Sequence, residues 1–142
     1  MRRYVLDASI AVKWFLMEEH TDAALRIRGQ PTSLHIPEFF FLEFGHVLCK
    51  KQRRNELAAD ECVQMLQGIQ AVPMQRYRVT QLVPAAFDVA LQLGSGLYDC
   101  IYLTLAAELD CPFITADRRL VNKVRRSELA EYILWIEDLP AA

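Results

Sequence analysis

The chain has 142 residues, 53% of them apolar, and a formal net charge of −2. That length supports one domain with a sizeable core, and that composition excludes a disordered chain. The charge balance excludes a global electrostatic pull toward nucleic acid or membrane, and no run approaches the ~18 uninterrupted apolar residues of a membrane helix.

In chain order, Tyr4-Val5-Leu6 is a short buried strand with Asp7 at its carboxyl end. That acid also interrupts any signal-peptide core behind Arg2 and Arg3. Ala8 and Ser9 lead into a helix carrying Ile10, Val12, Trp14, Phe15 and Leu16. A second helix is predicted over 21–28, with Thr21 as its N-cap and Gly29 and Pro31 ending it. Leu34-His35-Ile36 is the next strand, closed by Pro37. A helix over 38–49 follows, apolar almost all round, with Phe39, Phe40, Phe41 and Phe44 and with Glu43 in its middle. Lys50, Lys51, Arg53 and Arg54 form a basic cluster behind it.

A helix over 58–70 places Cys62, Val63, Leu66 and Ile69 on one face. Tyr77 and Val79 mark a strand candidate, and 84–93 makes a helix with Phe87, Ala90 and Leu91 inward. After the turn Gly94-Ser95-Gly96, Asp99 opens an oily helix that Asp110 and Pro112 stop. Phe113-Ile114-Thr115 suits a central strand, and Asp117 ends it. A basic helix with Arg118, Arg119, Lys123, Arg125 and Arg126 follows, then a last strand over 132–136. Strands alternating with helices predict an α/β fold with a mainly parallel central sheet and helices on both faces. Functional sites in such sheets lie at the carboxyl ends of the strands. Cys49, Cys62, Cys100 and Cys111 show no C-x-x-C spacing, so free thiols and a reducing cytoplasm are expected.

Four acids stand inside or beside apolar segments: Asp7, Glu43, Asp99 and Asp117. Each has an ordinary reading, as a helix cap for the three aspartates or as a partner of His46 or a core arginine for Glu43. Taken together, three of them converge on one sheet edge. Crowded carboxylates repel unless a cation neutralises them, and oxygen-only ligands select Mg²⁺ or Mn²⁺. Such a site suits phosphodiester hydrolysis, because a metal polarises the phosphoryl oxygen and lowers the pKa of bound water. Thr115 shares a strand face with Asp117, and Ser9 stands beside Asp7, so both hydroxyls are expected to support the acids.

The segments Val5-Leu6-Asp7-Ala8-Ser9, Glu43 in its apolar helix, Tyr98-Asp99-Cys100-Ile101-Tyr102-Leu103 and Thr115-Ala116-Asp117-Arg118-Arg119-Leu120 resemble the PIN domain. The nearest likeness is to VapC-like toxins of bacterial toxin–antitoxin modules, over nearly the whole chain. The resemblance implies a PIN-like three-layer α/β/α fold as one domain over 1–142. It implies an Mg²⁺-dependent endoribonuclease whose four acidic site residues are Asp7, Glu43, Asp99 and Asp117, with Asp7, Asp99 and Asp117 on the metal. It also implies a small cognate antitoxin, for which the phenylalanine-rich helix offers a landing place. A homodimer is expected because two-fold homo-oligomers are the commonest kind. One position departs from the pattern: many relatives carry Asn three residues after the helix glutamate, and here it is His46. Arg118 and Arg119 directly follow Asp117, so they are expected to position RNA through its phosphates.

Three other readings compete. A haloacid-dehalogenase type of phosphotransferase wants a second Asp two residues after the first, where this chain has Ser9. A receiver domain needs an acidic pair near the first strand and a late lysine, and neither is present. A catalytically idle RNA- or protein-binding domain is the remaining alternative.

Overall fold

The computed structural model describes residues 1–141. Five strands form one all-parallel sheet: β1 (Arg2–Leu6), β2 (Thr32–Pro37), β3 (Gln75–Tyr77), β4 (Phe113–Thr115) and β5 (Ile133–Trp135), in the order β3-β2-β1-β4-β5. Seven α-helices connect them: α1 (Ala8–Val12), α2 (Thr21–Gly29), α3 (Phe40–Arg53), α4 (Ala59–Gln70), α5 (Val83–Leu93), α6 (Leu97–Leu109) and α7 (Arg118–Arg125). The strand order reverses at β1, between its neighbours β2 and β4. Ligand crevices open at such switch points in parallel sheets.

The two faces of the sheet follow the period-2 alternation of strand side chains. Tyr4 and Leu6 join Ile114, Leu34 and Ile36 in one core with Ile10, Ile27, Phe40, Phe44 and Ile69 of α1–α4. Val5 joins Phe113 and Ile133 in the other, with Ala86, Ile101, Tyr102, Leu105, Leu120 and Val124 of α5–α7. Each large side chain fully buried in these layers contributes about 1.5–3 kcal/mol. The architecture is therefore the expected three-layer α/β/α fold.

Several boundaries differ from the sequence reading. Helix α1 ends at Val12, which leaves Trp14, Phe15 and Leu16 in the following turn, packed on the first core. Strand β3 ends at Tyr77, short of Val79. Helix α6 begins at Leu97, with Asp99 inside its first turn rather than opening it. Thr21 is the first helical residue of α2; its hydroxyl accepts from the Glu18 amide and donates to the Leu16 carbonyl.

Two larger corrections concern faces. Helix α3 is not apolar on every side: Phe40, Phe44 and Leu48 are buried, while Leu42 is 77% exposed. In α5 only Ala86 is buried, and Phe87 and Leu91 point outward at 52% and 69% exposure. Their spacing marks one apolar stripe, but α6, not the stripe, is what α5 packs on, with the small Ala86 on the buried side. All four cysteines are free. Among the described residues no single helix is long and apolar enough to cross a membrane.

Candidate active site

The carboxyl ends of β1 and β4 lie side by side, so Asp7 and Asp117 meet where the strand order reverses. Both also cap helices, as their ordinary reading required. Asp7 caps α1, its Oδ1 accepting from the Ser9 amide at 3.3 Å. Asp117 caps α7, its Oδ1 accepting from the Leu120 amide at 3.1 Å. Each cap occupies one oxygen.

Thr115 couples the two acids. It is fully buried; its hydroxyl donates to Asp7 Oδ2 at 2.6 Å and accepts from the Asp117 amide at 3.1 Å. One strand residue thus fixes both aspartates: Thr115, the last residue of β4, reaches Asp7 at the end of the neighbouring strand and the Asp117 amide in the turn that follows. The Ser9 hydroxyl is buried without a hydrogen-bond partner among the described residues.

Glu43 arrives from the first turn of α3, and the Tyr102 hydroxyl donates to its Oε1 at 2.7 Å. Tyr102 is 1% exposed, stacked on Phe113 and edge-on to Phe39, so the ring cannot swing away. A buried tyrosine hydroxyl requires a partner, and here the partner is a site acid. Sequence reasoning passed over this tether. The signal was a tyrosine three residues after Asp99, one helical turn on in an oily helix.

The acids sense one another. Burial pushes Glu43 up to about 7 against the Tyr102 hydrogen bond, and the charges of Asp7 and Asp99 add to the rise. Burial lifts Asp99 to about 6, with Asp7 and Asp117 raising it further and Lys123 opposing them. Asp7 is also raised, chiefly by burial, against hydrogen bonds from Thr115 and Ser9. The four predicted acids are therefore near enough to feel one another's charge: Asp7 couples to Glu43, Asp99 and Asp117, and mutual repulsion is the electrostatic signature.

The donor chemistry fits a hard divalent cation, since every donor is an oxygen and ionisation of the raised acids would be favoured by a positive charge. The spacing is looser than a closed coordination sphere. Among the described residues no three His, Cys, Asp or Glu side chains are grouped tightly enough to hold an ion as they stand. A cation here would have to draw the carboxylates inward.

The surroundings are asymmetric. On the Asp99 and Asp117 side, a cavity of about 260 Å³ is walled by the 94–96 turn, Arg119 and Lys123. On the Glu43 side, a cavity of about 470 Å³ is lined by Phe39, Leu42, Glu43, His46 and Tyr98. His46 is exposed at that rim. Of the two arginines expected to meet RNA, Arg119 borders the site, whereas the Arg118 guanidinium lies 4.9 Å over the Trp135 ring.

Comparison with known proteins agrees with this fold. The family model described as PIN domain matches residues 4–126. Ribonuclease VapC3 of Pyrobaculum aerophilum is 30% identical over 125 residues, covering 85% of this chain and 94% of the relative. The crystal structure of PAE2754 from the same organism superposes with a TM-score of 0.69 at 22% identity, over 96% of this chain and 85% of that one. VapBC2 from Rickettsia felis, solved bound to a DNA fragment from its promoter, gives a TM-score of 0.66 at 12% identity, over 94% of this chain and 98% of that one.

Proposed function

The chain belongs to the PIN-domain family, and we propose that it is a VapC-like toxin, an endoribonuclease that hydrolyses RNA phosphodiester bonds in the cytoplasm at the four-carboxylate cleft. The observation that carries this reading is that Thr115 joins Asp7 to Asp117 while Glu43 and Asp99 lie near enough to feel the charge of Asp7, in a chain whose curated relatives are named ribonucleases.

Asp7, Asp99 and Asp117 would hold Mg²⁺, or Mn²⁺ in its place. When bound, such an ion supplies charge to the phosphoryl oxygen and acidifies a coordinated water. The chain's own residues do the rest. Thr115 fixes the Asp7 carboxylate through Oδ2 and aligns Asp117 through its amide. Tyr102 holds Glu43 by Oε1, which leaves Oε2 to take a proton from the attacking water. A carboxyl group near 7 is well matched to proton transfer at neutral pH.

Two further surfaces give partners a place. A groove of about 710 Å³ between α3 and α4 is lined by Phe41, Leu42, Cys49, Val63 and Leu66. Leu42 and Val63 are 77% and 55% exposed there. It suits the apolar face of an antitoxin helix. Phe40 and Phe44 are wholly buried and take no part in that surface. The outward stripe Val83, Phe87 and Leu91 on α5 suits a second copy of the chain, because i, i+4, i+8 spacing makes a self-complementary seam.

The test is incubation of the purified protein with total RNA, in Mg²⁺ or in chelator, with cleavage ends mapped by sequencing. The expected result is discrete ends that require the divalent ion and vanish in Asp7→Asn. Equal cleavage by a folded Asp7→Asn protein would refute the assignment.

A further inference from the structure

We propose that Arg119 and Lys123 form a subsite for a non-scissile phosphate of the RNA strand, beside Asp99 and Asp117; this rests on the ribonuclease reading above. The two cations stand four residues apart on α7, so they share one helix face about 6 Å apart along the axis. That face borders the 260 Å³ cavity, whose floor is formed by the site acids.

Lys123 is anchored rather than free. Its Nζ donates to the Gly94 carbonyl at 3.0 Å, tying α7 to the turn between α5 and α6. An ammonium has three donors, so two remain for a ligand. Arg119 is exposed and makes no ion pair among the described residues, which leaves its guanidinium fork available for two phosphate oxygens. Two neighbouring arginines are committed elsewhere. Arg118 stacks on Trp135, and Arg125 pairs with Asp138 at 2.8 Å. Ser95, in the turn that lines the same cavity, keeps its Oγ buried and without a partner among the described residues.

Charge decides which side of the acids takes a phosphate. Polyanionic RNA approaching four carboxylates is repelled unless cations stand nearby. Arg119 and Lys123 supply them on one side only; the other side is aromatic and apolar around Phe39 and Tyr98. The strand is thereby given a direction across the cleft, with a phosphate on the α7 side and the unpaired base on the Tyr98 side.

The experiment measures binding of a fluorescent single-stranded RNA oligonucleotide as a function of salt, in the Asp7→Asn background so that the probe survives. Arg119→Gln with Lys123→Gln should lower the log–log salt slope by about 1.4, at about 0.7 for each lost contact. Lys123→Arg should keep the slope, and Arg54→Gln, from the distant basic cluster, should match the parent. In the otherwise wild-type enzyme the double change should raise KM at least tenfold and leave kcat within about threefold. An unchanged slope in a folded double variant, with RNA still cut by the wild-type enzyme, overturns the subsite alone. A slope lost equally in Arg54→Gln also overturns it, as a non-specific effect of charge. Failure of the wild-type chain to bind or cut any RNA overturns both this inference and the ribonuclease reading.

Discussion

At the scale of single residues, the site places acids where their charge is costly. Glu43 titrates near 7 instead of its usual 4.5, mainly because it is partly removed from water. Between those values the folded protein keeps a proton that the unfolded chain has released, so stability falls as pH rises through that window. At full strength the displacement is worth roughly 3 kcal/mol; screening at a half-buried site reduces it to about 1–2 kcal/mol. Glu43→Gln should therefore abolish cleavage and yet stabilise the metal-free protein by about 1–2 kcal/mol at pH 8, with little change at pH 4. Thermal melts in chelator across that range check it, and a destabilised variant at pH 8 would contradict it. Thr115→Val acts in the opposite sense. It removes the donor to Asp7 and the acceptor for the Asp117 amide, so it should cost about 1.5–3 kcal/mol. It should also weaken Mg²⁺ binding by 10–100-fold, as loss of a residue orienting a metal ligand does. Denaturant unfolding and a metal titration on the same sample separate the two effects. The four acids were legible in the sequence because charges beside oily segments need a reason. Their supports were less legible: Thr115 could be placed beside Asp117 from its position in the strand, whereas the pairing of Tyr102 with Glu43 spans 59 positions and is created only where α3 and α6 meet at the sheet edge.

At the scale of elements, sequence periodicity reported that an apolar face exists but not what covers it. Phe87 and Leu91 lie on a stripe that looks like a core face, and the fold turns it outward because Ala86 lets α5 pack closely on the opposite side. The phenylalanine run of α3 divides similarly, with Phe40 and Phe44 inside and Phe41 and Leu42 at the groove. Val63→Glu, in the groove and away from the acids, should leave RNA cleavage and melting temperature near wild type and release the enzyme from a co-expressed antitoxin. Retained inhibition would move the antitoxin elsewhere. Phe87→Glu with Leu91→Glu should convert a dimer to a monomer by light scattering, without loss of fold. Boundaries were the least legible feature, since Asp99 sits inside the first turn of α6 behind a Gly96 N-cap that offers no side-chain signal.

At the scale of the whole molecule, topology carries the function. Reversal of strand order at β1 brings the ends of β1 and β4 together, so two aspartates separated by 110 positions become neighbours. Helices α3 and α6, from opposite faces of the sheet, then each lend one acid to that edge. The central claim is that Asp7, Asp99 and Asp117 hold a divalent cation beside Glu43. The most direct measurement is calorimetric titration of Mg²⁺ into the protein at pH 6 and pH 8, in buffers of different ionisation enthalpy. With Asp99 near 6 and Glu43 near 7, both hold protons at pH 6 that a bound cation must displace. The account predicts one-site or two-site binding with release of about one proton at pH 6, little release at pH 8, and loss of binding in Asp99→Asn. No binding heat in any buffer, or equal binding by Asp99→Asn, would contradict it.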